Sequence, residues 1–355
     1  MEKRIRVGIR GISGLLGSRL ALAVARQPDM EVVVGIGKND ATLTRLIRLE
    51  QMLRKQGRTL AGTLCLDEPH AVVQSVNDQY RPIQFIAADQ LALHKHCDII
   101  VDATGPGVSK RYSEQYQSYR IPVILQSGEF PRGTLIAPPL SSMADGNLWR
   151  QGDCCLSGLM PVLALFKNEI VTGRINIVMQ YSQILNDFPT DQRIQATYRR
   201  PDLTEQLEQQ LSMLLGTAEF SVDVLQVPAL DYYTASIALE MQRPFSGQEL
   251  NARFQKNPRM CLANSSINST NEIDHHLREP LRAMGADLAP IVVYGSSMKP
   301  VIGHQNTCIR FQVSFYSRLI AVLPNIDTIR MLARGVPAQE AMRITDQNLS
   351  ITSTV

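Results

Sequence analysis

The stretch RIRVGIRGISGLLGSRLALAVARQ, residues 4–27, decides the fold class of this chain. Its opening run, RIRVGI (4–9), predicts a buried strand, and the apolar spacing from Leu15 to Gln27 predicts a helix. The loop between them is rich in glycine, which removes the Cβ atoms that would block a tight turn and the close approach of a pyrophosphate. The helix N-terminus offers free N–H groups and positive potential to that pyrophosphate. This order predicts a nucleotide-binding βαβ unit. The alternative is a glycine-rich turn that binds no ligand.

Short strands and helices continue to alternate through the first third of the chain. Such alternation is typical of a parallel sheet with helices on both faces. Further strands are predicted at 31–36, 83–86, 98–104 and 122–127, and helices at 41–56 and around Tyr112, Tyr116 and Tyr119. We therefore expect an α/β fold whose N-terminal domain, residues 1–153, is a Rossmann-type doubly wound parallel sheet.

The pattern changes at about residue 154, where longer strands begin, with few helices between them. After one helix at about 156–168, these strands are predicted at 174–182, 232–241, 291–297 and 308–317. Long strands with few crossover helices predict a mixed or antiparallel sheet, and hence an α+β domain over residues 154–323. Residues 324–355 return to helix, with Gly335 as the C-cap of one helix and Pro337 opening the next.

Composition and charge exclude several classes of protein. A formal net charge of +3 over 355 residues is too close to neutral to indicate a nucleic-acid or acidic-membrane partner. No apolar run approaches the roughly 20 residues that a transmembrane helix needs, and the N-terminus lacks the apolar stretch of a signal peptide. The six cysteines are too sparse for a disulfide scaffold, so the reducing cytoplasm is the expected compartment.

The residues after the second strand indicate which dinucleotide the chain prefers. A site for NAD usually carries an acidic residue at this strand tip, whereas this chain has Gly37 followed by Lys38. A lysine there attracts the additional phosphate of NADP, so NADP is favoured, and Asp40 keeps NAD as the alternative. The cofactor-binding residues expected from the loop and the strand tip are Gly8, Gly11, Ser13, Gly14, Gly17 and Lys38.

The sequence DCCLSGL, residues 153–159, places two cysteines at the start of the next predicted helix. A thiol at a helix N-terminus is a better nucleophile at neutral pH, because the dipole and the unpaired amides stabilise its thiolate. Attack of Cys154 on an aldehyde gives a thiohemiacetal whose hydride passes to a nicotinamide. The alternative interpretations are a vicinal redox pair and two small buried residues, a role that suits Cys155 best.

A nucleophilic cysteine usually needs a base or an ion-pair partner, and the chain has six histidines. The three before residue 100 fall in the nucleotide-binding half, and His275 and His276 are expected on a helix surface. His304, in a loop before a long strand, is the histidine expected nearest to a cleft between the domains and is a candidate substrate contact. No metal-ligand spacing occurs in the sequence, so no metal site is expected.

Four segments of the chain occur in the order found in a known family. They are the glycine loop, VILQSGE (123–129), the element from Cys154 to Gly158, and VLPNIDTIRM (322–331). Over nearly the whole chain this order resembles the archaeal-type (type II) glyceraldehyde-3-phosphate dehydrogenases, whose fold is shared with aspartate-semialdehyde dehydrogenase and N-acetylglutamyl-phosphate reductase. The resemblance implies a nucleotide domain, a catalytic domain that begins at the nucleophile, a final helix that packs back on the nucleotide domain, and a homo-oligomer, either a tetramer or a dimer.

The family's motifs assign roles to individual residues of this chain. The family's cysteine falls on Cys154, four residues before Gly158, which makes Cys154 the nucleophile and puts Asp153 and Cys155 beside the substrate. On the cofactor side, the resemblance adds Leu15, Leu16, Gly128 and Ser317.

The chain departs from the family at the catalytic base and at the phosphate site. The family's histidine segment corresponds to about residues 195–215, which contain no histidine, and its paired arginines fall on Gln180 and Tyr181. Arg199 and Arg200 are the candidate replacements, because a phosphate in a cleft normally needs fixed cations. Glyceraldehyde 3-phosphate is therefore not the expected substrate.

Three functions stay open on the sequence alone. The first is an NAD(P)-dependent dehydrogenase or reductase that acts through Cys154 on a small molecule, namely an aldehyde, an acyl-phosphate or a thioester. The second is a reductase that transfers hydride without covalent catalysis. The third is a nucleotide-binding or assembly protein that uses the same scaffold without turnover.

Overall fold

The computed structural model describes residues 3–38, 43–55, 57, 59, 62–79, 84–105, 107–126, 132–140, 145–180, 197–216, 218–227, 231–263, 267, 269–294, 299–302 and 307–353. The chain divides into two compact units, here called the first and the second domain. The first comprises Met1–Ile136, Ser141–Asp153 and Val322–Leu349, and the second comprises Ala137–Leu140, Cys154–Ala321 and Ser350–Val355.

The described part of the first domain holds a parallel sheet of eight strands. They are β1 (Ile5–Arg10), β2 (Met30–Gly37), β3 (Thr63–Leu66), β4 (Phe85–Ala87), β5 (Ile99–Asp102), β6 (Val123–Leu125), β7 (Thr134–Ile136) and β8 (Leu148–Gln151). They are arranged in the order β4-β3-β2-β1-β5-β6-β8-β7, and all neighbours run parallel. The chain fills one side as far as β4 and then crosses to β5, so the topological switch point lies between β1 and β5.

Helices pack on this sheet because each carries an apolar stripe. Helix α1 buries Leu20, Ala21 and Val24, and Tyr116 and Tyr119 join the core of one sheet face. The helices are α1 (Leu15–Ala25), α2 (Leu43–Arg54), α3 (His70–Gln79), α4 (Leu93–His96) and α5 (Ser113–Ser118), with 3₁₀ turns at Ala88–Gln90 and Ser109–Tyr112.

The second domain is built on a mixed sheet, whose order is β10-β11-β9-β12-β17-β15-β13 with β16 beside β17. The pairs β11–β9 and β13–β15 are parallel, and β9–β12 and β12–β17 are antiparallel. The strands are β9 (Ile170–Gln180), β10 (Tyr198–Arg199), β11 (Glu219–Val227), β12 (Tyr232–Met241), β13 (Met260–Ala263), β14 (Asp287–Leu288), β15 (Ile291–Tyr294), β16 (Lys299–Ile302), β17 (Thr307–Tyr316) and β18 (Ile351–Thr352), of which β14 and β18 form a separate pair.

Alternation along the central strands gives this sheet one apolar face and one polar face. Ile237 on β12 and Phe311 on β17 are buried, whereas Ser236 and Arg310 beside them are exposed. The helices are α6 (Cys154–Ala164), α7 (Pro201–Leu215), α8 (Gly247–Gln255), α9 (Thr270–Glu272), α10 (Glu279–Ala283) and α11 (Ser317–Ile320), with a π-helical turn at Ile273–Arg278. A parallel sheet in one domain and a mixed sheet in the other confirm the predicted α/β fold class.

The last helices, α12 (Leu323–Arg334) and α13 (Ala338–Leu349), belong to the first domain. The buried Arg330 fastens α12 to the segment after α1, because its Nε lies 2.9 Å from Asp29 Oδ2 and its Nη2 donates to Gln27 Oε1 at 2.9 Å. Gly335 ends α12 in the left-handed conformation, as predicted. Among the residues that the structure describes, no helix has the length and apolar character needed to cross a membrane.

Candidate active site

The glycine loop lies at the switch point between β1 and β5. Gly11 has a φ of +77°, and a Cβ there would lie 2.9 Å from the backbone carbonyl of Ala103, directly after β5. The Gly11 N–H donates to the carbonyl of Ile36 on β2 at 2.8 Å. Only glycine satisfies both the positive φ and the close approach, so the loop is held against the carboxyl ends of the strands, where dinucleotides bind in such sheets.

The loop turns tightly into α1 through two further glycines. The N–H of Gly14 donates to the carbonyl of Gly11 at 2.9 Å, and Gly14 is the N-cap of α1 with no side-chain hydrogen bond. A Cβ on Gly17 would lie 2.1 Å from the Gly11 carbonyl oxygen. Because the cap carries no side chain, the first amides of α1 stay available to an anion, and these residues fit a pyrophosphate.

The other residues predicted in the loop have mixed surroundings. Ser13 and Leu16 are half-buried, and Leu15 is 54% exposed at the start of α1, an unusual position for a large apolar side chain. Gly8 lies within β1, where a Cβ would be 2.7 Å from Cys97 Sγ. The glycine at position 8 is therefore required by packing inside the domain.

Lys38 follows the end of β2 and is exposed, at the strand tip where the sequence analysis places it. The neighbouring β3 ends beside it, since the N–H of Asp67 donates to the carbonyl of Gly37 at 2.8 Å. Gly128, the other residue assigned to the cofactor in this domain, lies outside the described residues.

A buried charged cluster, which the sequence analysis does not predict, lies at the same edge of the sheet. Arg10, the last residue of β1, is 3% exposed, with Nη1 3.1 Å from Asp67 Oδ1 and its guanidinium 3.7 Å from the Tyr112 ring centre. Tyr112 donates to Asp67, and Tyr116 donates to Asp102 on β5 at 2.8 Å. Burial, together with the bond to Asp67, raises the pKa of Tyr112 to about 12. The cluster ties together the carboxyl ends of β1, β3 and β5.

Helix α6 carries the predicted nucleophile and lies unusually close to the sheet of the second domain. A Cβ on Gly158 would lie 2.7 Å from Cγ of Phe315 on β17, so only glycine allows this approach. Cys154, the first residue of α6, is one turn earlier on the same side of the helix, because residues four apart share a helix face.

Cys154 therefore faces Tyr233 on β12, the residue that pairs with Phe315 between the two antiparallel strands. The Cys154 thiol lies 3.2 Å from the Tyr233 hydroxyl, and Tyr233 is 5% exposed while Cys154 is partly accessible. Nothing in the sequence alone singles out Tyr233. The only hint in the sequence is that Tyr233 places a hydroxyl on the apolar face of β12, the face that it shares with the buried Ala235 and Ile237.

The two neighbours of Cys154 in the chain are both buried. Asp153 is 6% exposed and belongs to the first domain, where its charge partly offsets the effect of burial, which lowers the pKa of Arg150. Cys155 is 2% exposed, which favours packing within α6 over contact with a substrate.

Arg199 and Arg200, the predicted replacements for the phosphate-binding arginines, are paired with carboxylates. Arg199 is 80% exposed, with Nη2 3.5 Å from Asp223 Oδ1. Arg200 contacts Asp202 at 2.7 Å through Nη2 and donates to Gln226 Oε1 at 3.1 Å through Nη1. These partners reduce the positive charge that either arginine offers to a phosphate.

Two further sets of predicted residues are placed as follows. Ser317, the first residue of α11, is buried, and its N–H donates to the carbonyl of Asp231 at 2.8 Å. His275 and His276 are exposed on the π-helical turn, as expected of surface histidines. His304 lies outside the described residues.

Comparison with known proteins finds relatives of matching length. A glyceraldehyde-3-phosphate dehydrogenase of Hyperthermus butylicus is 23% identical over 361 residues, covering 98% of each chain. That of Halobacterium salinarum is 24% identical, covering 98% of this chain and 100% of its own, and that of Methanothermobacter thermautotrophicus is 25% identical, covering 92% and 94%. No protein-family model matches the chain.

Among solved structures, the aspartate-semialdehyde dehydrogenase with NADP from Candida albicans has the same fold. It covers 98% of this chain and 99% of its own, with a TM-score of 0.63 and 12% identity. With full-length relatives at 23–25% identity and the same fold as this dehydrogenase, the chain is similar to the glyceraldehyde-3-phosphate dehydrogenases and divergent from them.

Proposed function

We propose that this protein is an NAD(P)-dependent dehydrogenase that oxidises an aldehyde, or reduces the corresponding acyl-phosphate or thioester, through a covalent intermediate on Cys154. The observation that carries the proposal is the position of Cys154, which is partly accessible and is the first residue of α6. The relationship to glyceraldehyde-3-phosphate dehydrogenases, and the fold found in an aspartate-semialdehyde dehydrogenase, support the same chemistry.

NADP is the proposed cofactor, with NAD as the alternative. When bound, it accepts a hydride in the oxidative direction. Gly11, Gly14 and Gly17 leave room for its pyrophosphate at the uncapped end of α1. The exposed Lys38 supplies a positive charge for the additional phosphate. The Candida albicans structure contains NADP, which supports this preference.

In the proposed reaction, the Cys154 sulfur forms a bond to the aldehyde carbon. The dipole of α6 stabilises the thiolate that makes this attack. The resulting thiohemiacetal loses its hydride and becomes a thioester on Cys154. Phosphate, a thiol or water then releases the acyl group, which restores the free cysteine.

The substrate that we propose is an aldehyde other than glyceraldehyde 3-phosphate. Gln180 and Tyr181 stand where the related family has paired arginines for the substrate phosphate. Arg199 and Arg200 are each paired with a carboxylate, as described above. A doubly charged phosphate normally needs fixed cations, so a substrate with less negative charge suits these residues better.

Alkylation of the six cysteines with iodoacetamide, followed by peptide mass spectrometry, tests the nucleophile. We expect Cys154 to react fastest, with an apparent pKa below about 7.5, and NADP to change its rate. Turnover is then followed as NAD(P)H formation with a panel of aldehydes for the wild type, Cys154→Ser and Cys155→Ala. Cys154→Ser should lose at least about a thousandfold in kcat, while Cys155→Ala, which changes the buried neighbour, keeps most of it.

The alternative functions give different results in the same experiment. If Cys154→Ser keeps wild-type turnover, the protein is a reductase without covalent catalysis. If the wild type binds NADP but turns over no aldehyde, acyl-phosphate or thioester, it is a nucleotide-binding or assembly protein. A homo-oligomer, either a dimer or a tetramer, and a cytoplasmic location are part of the proposal, and sedimentation and fractionation test them.

A further inference from the structure

The Cys154 thiol and the Tyr233 hydroxyl are 3.2 Å apart in the second domain. This separation falls within the range of about 2.6–3.2 Å over which a general acid or base acts on its partner. Residues 195–215, the segment that the resemblance matches to the family's catalytic histidine, contain no histidine. A phenol, which can both donate and accept a proton, therefore lies beside the proposed nucleophile.

We propose that Tyr233 is the acid–base residue that works with Cys154, an inference that rests on the proposed dehydrogenase function. In the structure the Cys154 thiol donates to the Tyr233 hydroxyl at 3.2 Å. When the thiol loses its proton to solvent, the phenol O–H turns to donate to the sulfur and stabilises the thiolate. A hydrogen bond to a charged acceptor is stronger than one between neutral groups, so this contact favours ionisation of Cys154.

The phenol proton also balances the covalent step. As the C–S bond forms, the carbonyl π-electron pair moves to oxygen, and the Tyr233 proton transfers to that oxygen. When the C–H bond breaks, the hydride leaves with its electron pair to oxidised NAD(P). Tyrosinate takes back the hydroxyl proton, and the C=O bond re-forms as a thioester. The aldehyde carbon is oxidised by two electrons, NAD(P) is reduced, and Tyr233 ends as it began.

The surroundings of Tyr233 hold its hydroxyl in place for this role. The side chain is 5% exposed, so bulk water competes little for the phenol proton. Tyr233 pairs with Phe315 in the sheet, and Phe315 packs against Gly158 and so sets the distance of α6 from the sheet. The charged groups near this end of β12, Asp231 and Arg318, neutralise each other at 2.8 Å. We assign the proton transfer to the Tyr233 phenol because it lies 3.2 Å from the Cys154 sulfur.

The test compares Tyr233→Phe with a matched control, Tyr294→Phe. Tyr294 is also a buried tyrosine of the same sheet, with its hydroxyl 2.8 Å from Ser314, the residue before Phe315 on β17 and therefore on the opposite face. Both variants lose one hydrogen-bonded oxygen, so the control reports the structural cost of that loss. Melting curves establish that both variants are folded.

Two independent readouts decide the proposal. Tyr233→Phe should lower kcat by about 10²–10⁴-fold with little change in KM, and should flatten the limb of the pH profile that belongs to the base. It should also slow alkylation of Cys154 near neutral pH by about tenfold, because the thiolate loses a charge-assisted hydrogen bond. Tyr294→Phe should leave both quantities within about twofold of wild type.

The outcomes separate failure of this proposal from failure of the proposed function. If the wild type turns over aldehydes and Tyr233→Phe keeps kcat within about threefold, Tyr233 is not the acid–base residue. If the wild type turns over no aldehyde, the proposed dehydrogenase function is wrong. If, in addition, Cys154 is alkylated at the same rate in Tyr233→Phe as in the wild type, the phenol does not stabilise the thiolate either.

Discussion

The glycine loop of the first domain and the cysteine helix of the second domain both depend on a helix N-terminus pressed close to its neighbours. In the loop, the residue that Gly17 approaches is Gly11, six positions earlier, so one short stretch contains most of the geometry. In the cysteine helix, Cys154 meets Tyr233, which is 79 positions away. A site made of neighbours in sequence shows itself as a motif, whereas a site made across a sheet does not.

The two regions also differ in what a side chain at the critical glycine would strike. At Gly17 the obstacle is a backbone oxygen at 2.1 Å, which is fixed by the turn itself. At Gly158 the obstacle is the Phe315 ring at 2.7 Å, a side chain that substitution can make smaller. A substitution at Gly17 should therefore disrupt the loop in a way that no second substitution restores. A substitution at Gly158 should be compensated by a second substitution at Phe315.

Gly17→Ala is expected to have the largest effect, because the added methyl group forces the loop away from α1. We expect NADPH affinity to fall at least about 100-fold, close to 2.7 kcal/mol, and the unfolding free energy to fall by about 1–3 kcal/mol. Fluorescence titration and chemical denaturation measure the two quantities.

Gly247→Ala is the matched control for this variant, because Gly247 is the first residue of α8 and a Cβ there meets nothing within 4 Å. It should leave NADPH affinity unchanged. Binding of NADPH to Gly17→Ala within threefold of wild type would show that the loop does not hold the pyrophosphate.

Gly158→Ala tests the cysteine helix and should have the next largest effect. The methyl group pushes α6 off Phe315, which moves Cys154 away from Tyr233. We expect a loss of about 1–3 kcal/mol in unfolding free energy and slower alkylation of Cys154. The double variant Gly158→Ala/Phe315→Ala removes the obstructing Cγ and Cδ atoms and should recover much of the alkylation rate. Alkylation at the wild-type rate in Gly158→Ala would contradict the link between this packing and the thiol.

The same contrast explains how much of the molecule is predictable from its sequence. The tight glycine turn between β1 and α1, and the C-cap at Gly335, are predicted correctly because each is a local backbone requirement. The strand β3, only four residues long, is not predicted, since so short a run carries no measurable period.

The site residues that sequence analysis does not predict are those whose partners come from distant strands. Arg10 ends a strand and would read as a surface charge, yet its partners Asp67 and Asp102 follow β3 and end β5. Tyr233 reads as an ordinary core aromatic until the register of β12 and β17 places it under α6. Pairing across a sheet is set by tertiary packing, which one sequence does not specify.

Lys38→Ala tests the strand tip and should have a moderate effect confined to one cofactor. An exposed lysine paired with a phosphate contributes roughly the 1.4 kcal/mol that corresponds to a tenfold change in affinity. We expect the Kd for NADP to rise about tenfold and that for NAD to stay within about twofold. Calorimetry with both cofactors measures this, and equal weakening of the two would remove Lys38 from the specificity for NADP.

Asp98→Asn should have the smallest effect and tests whether the first domain's scaffold is separable from its loop. Asp98 accepts hydrogen bonds from Arg6 Nη2 at 2.8 Å and from the Arg6 N–H at 2.9 Å, and it precedes β5 at the amino ends of the strands, opposite the glycine loop. Burial raises the pKa of Asp98, but the bonds from Arg6 outweigh it and hold that pKa below the ordinary value.

A carboxyl whose pKa is lowered on folding stabilises the protein above its unfolded pKa, about 3.9, and loses that stabilisation as the pH falls through the folded pKa. The wild type should therefore exceed Asp98→Asn in stability at neutral pH, by no more than about 1 kcal/mol because the pair is partly exposed, and the two should converge in acid. Asp78→Asn, which removes an exposed carboxylate of α3 away from this pair, is the matched control. NADPH affinity should be unchanged in Asp98→Asn. A fall in that affinity would mean that the loop depends on the far edge of the sheet and that its geometry is not set locally.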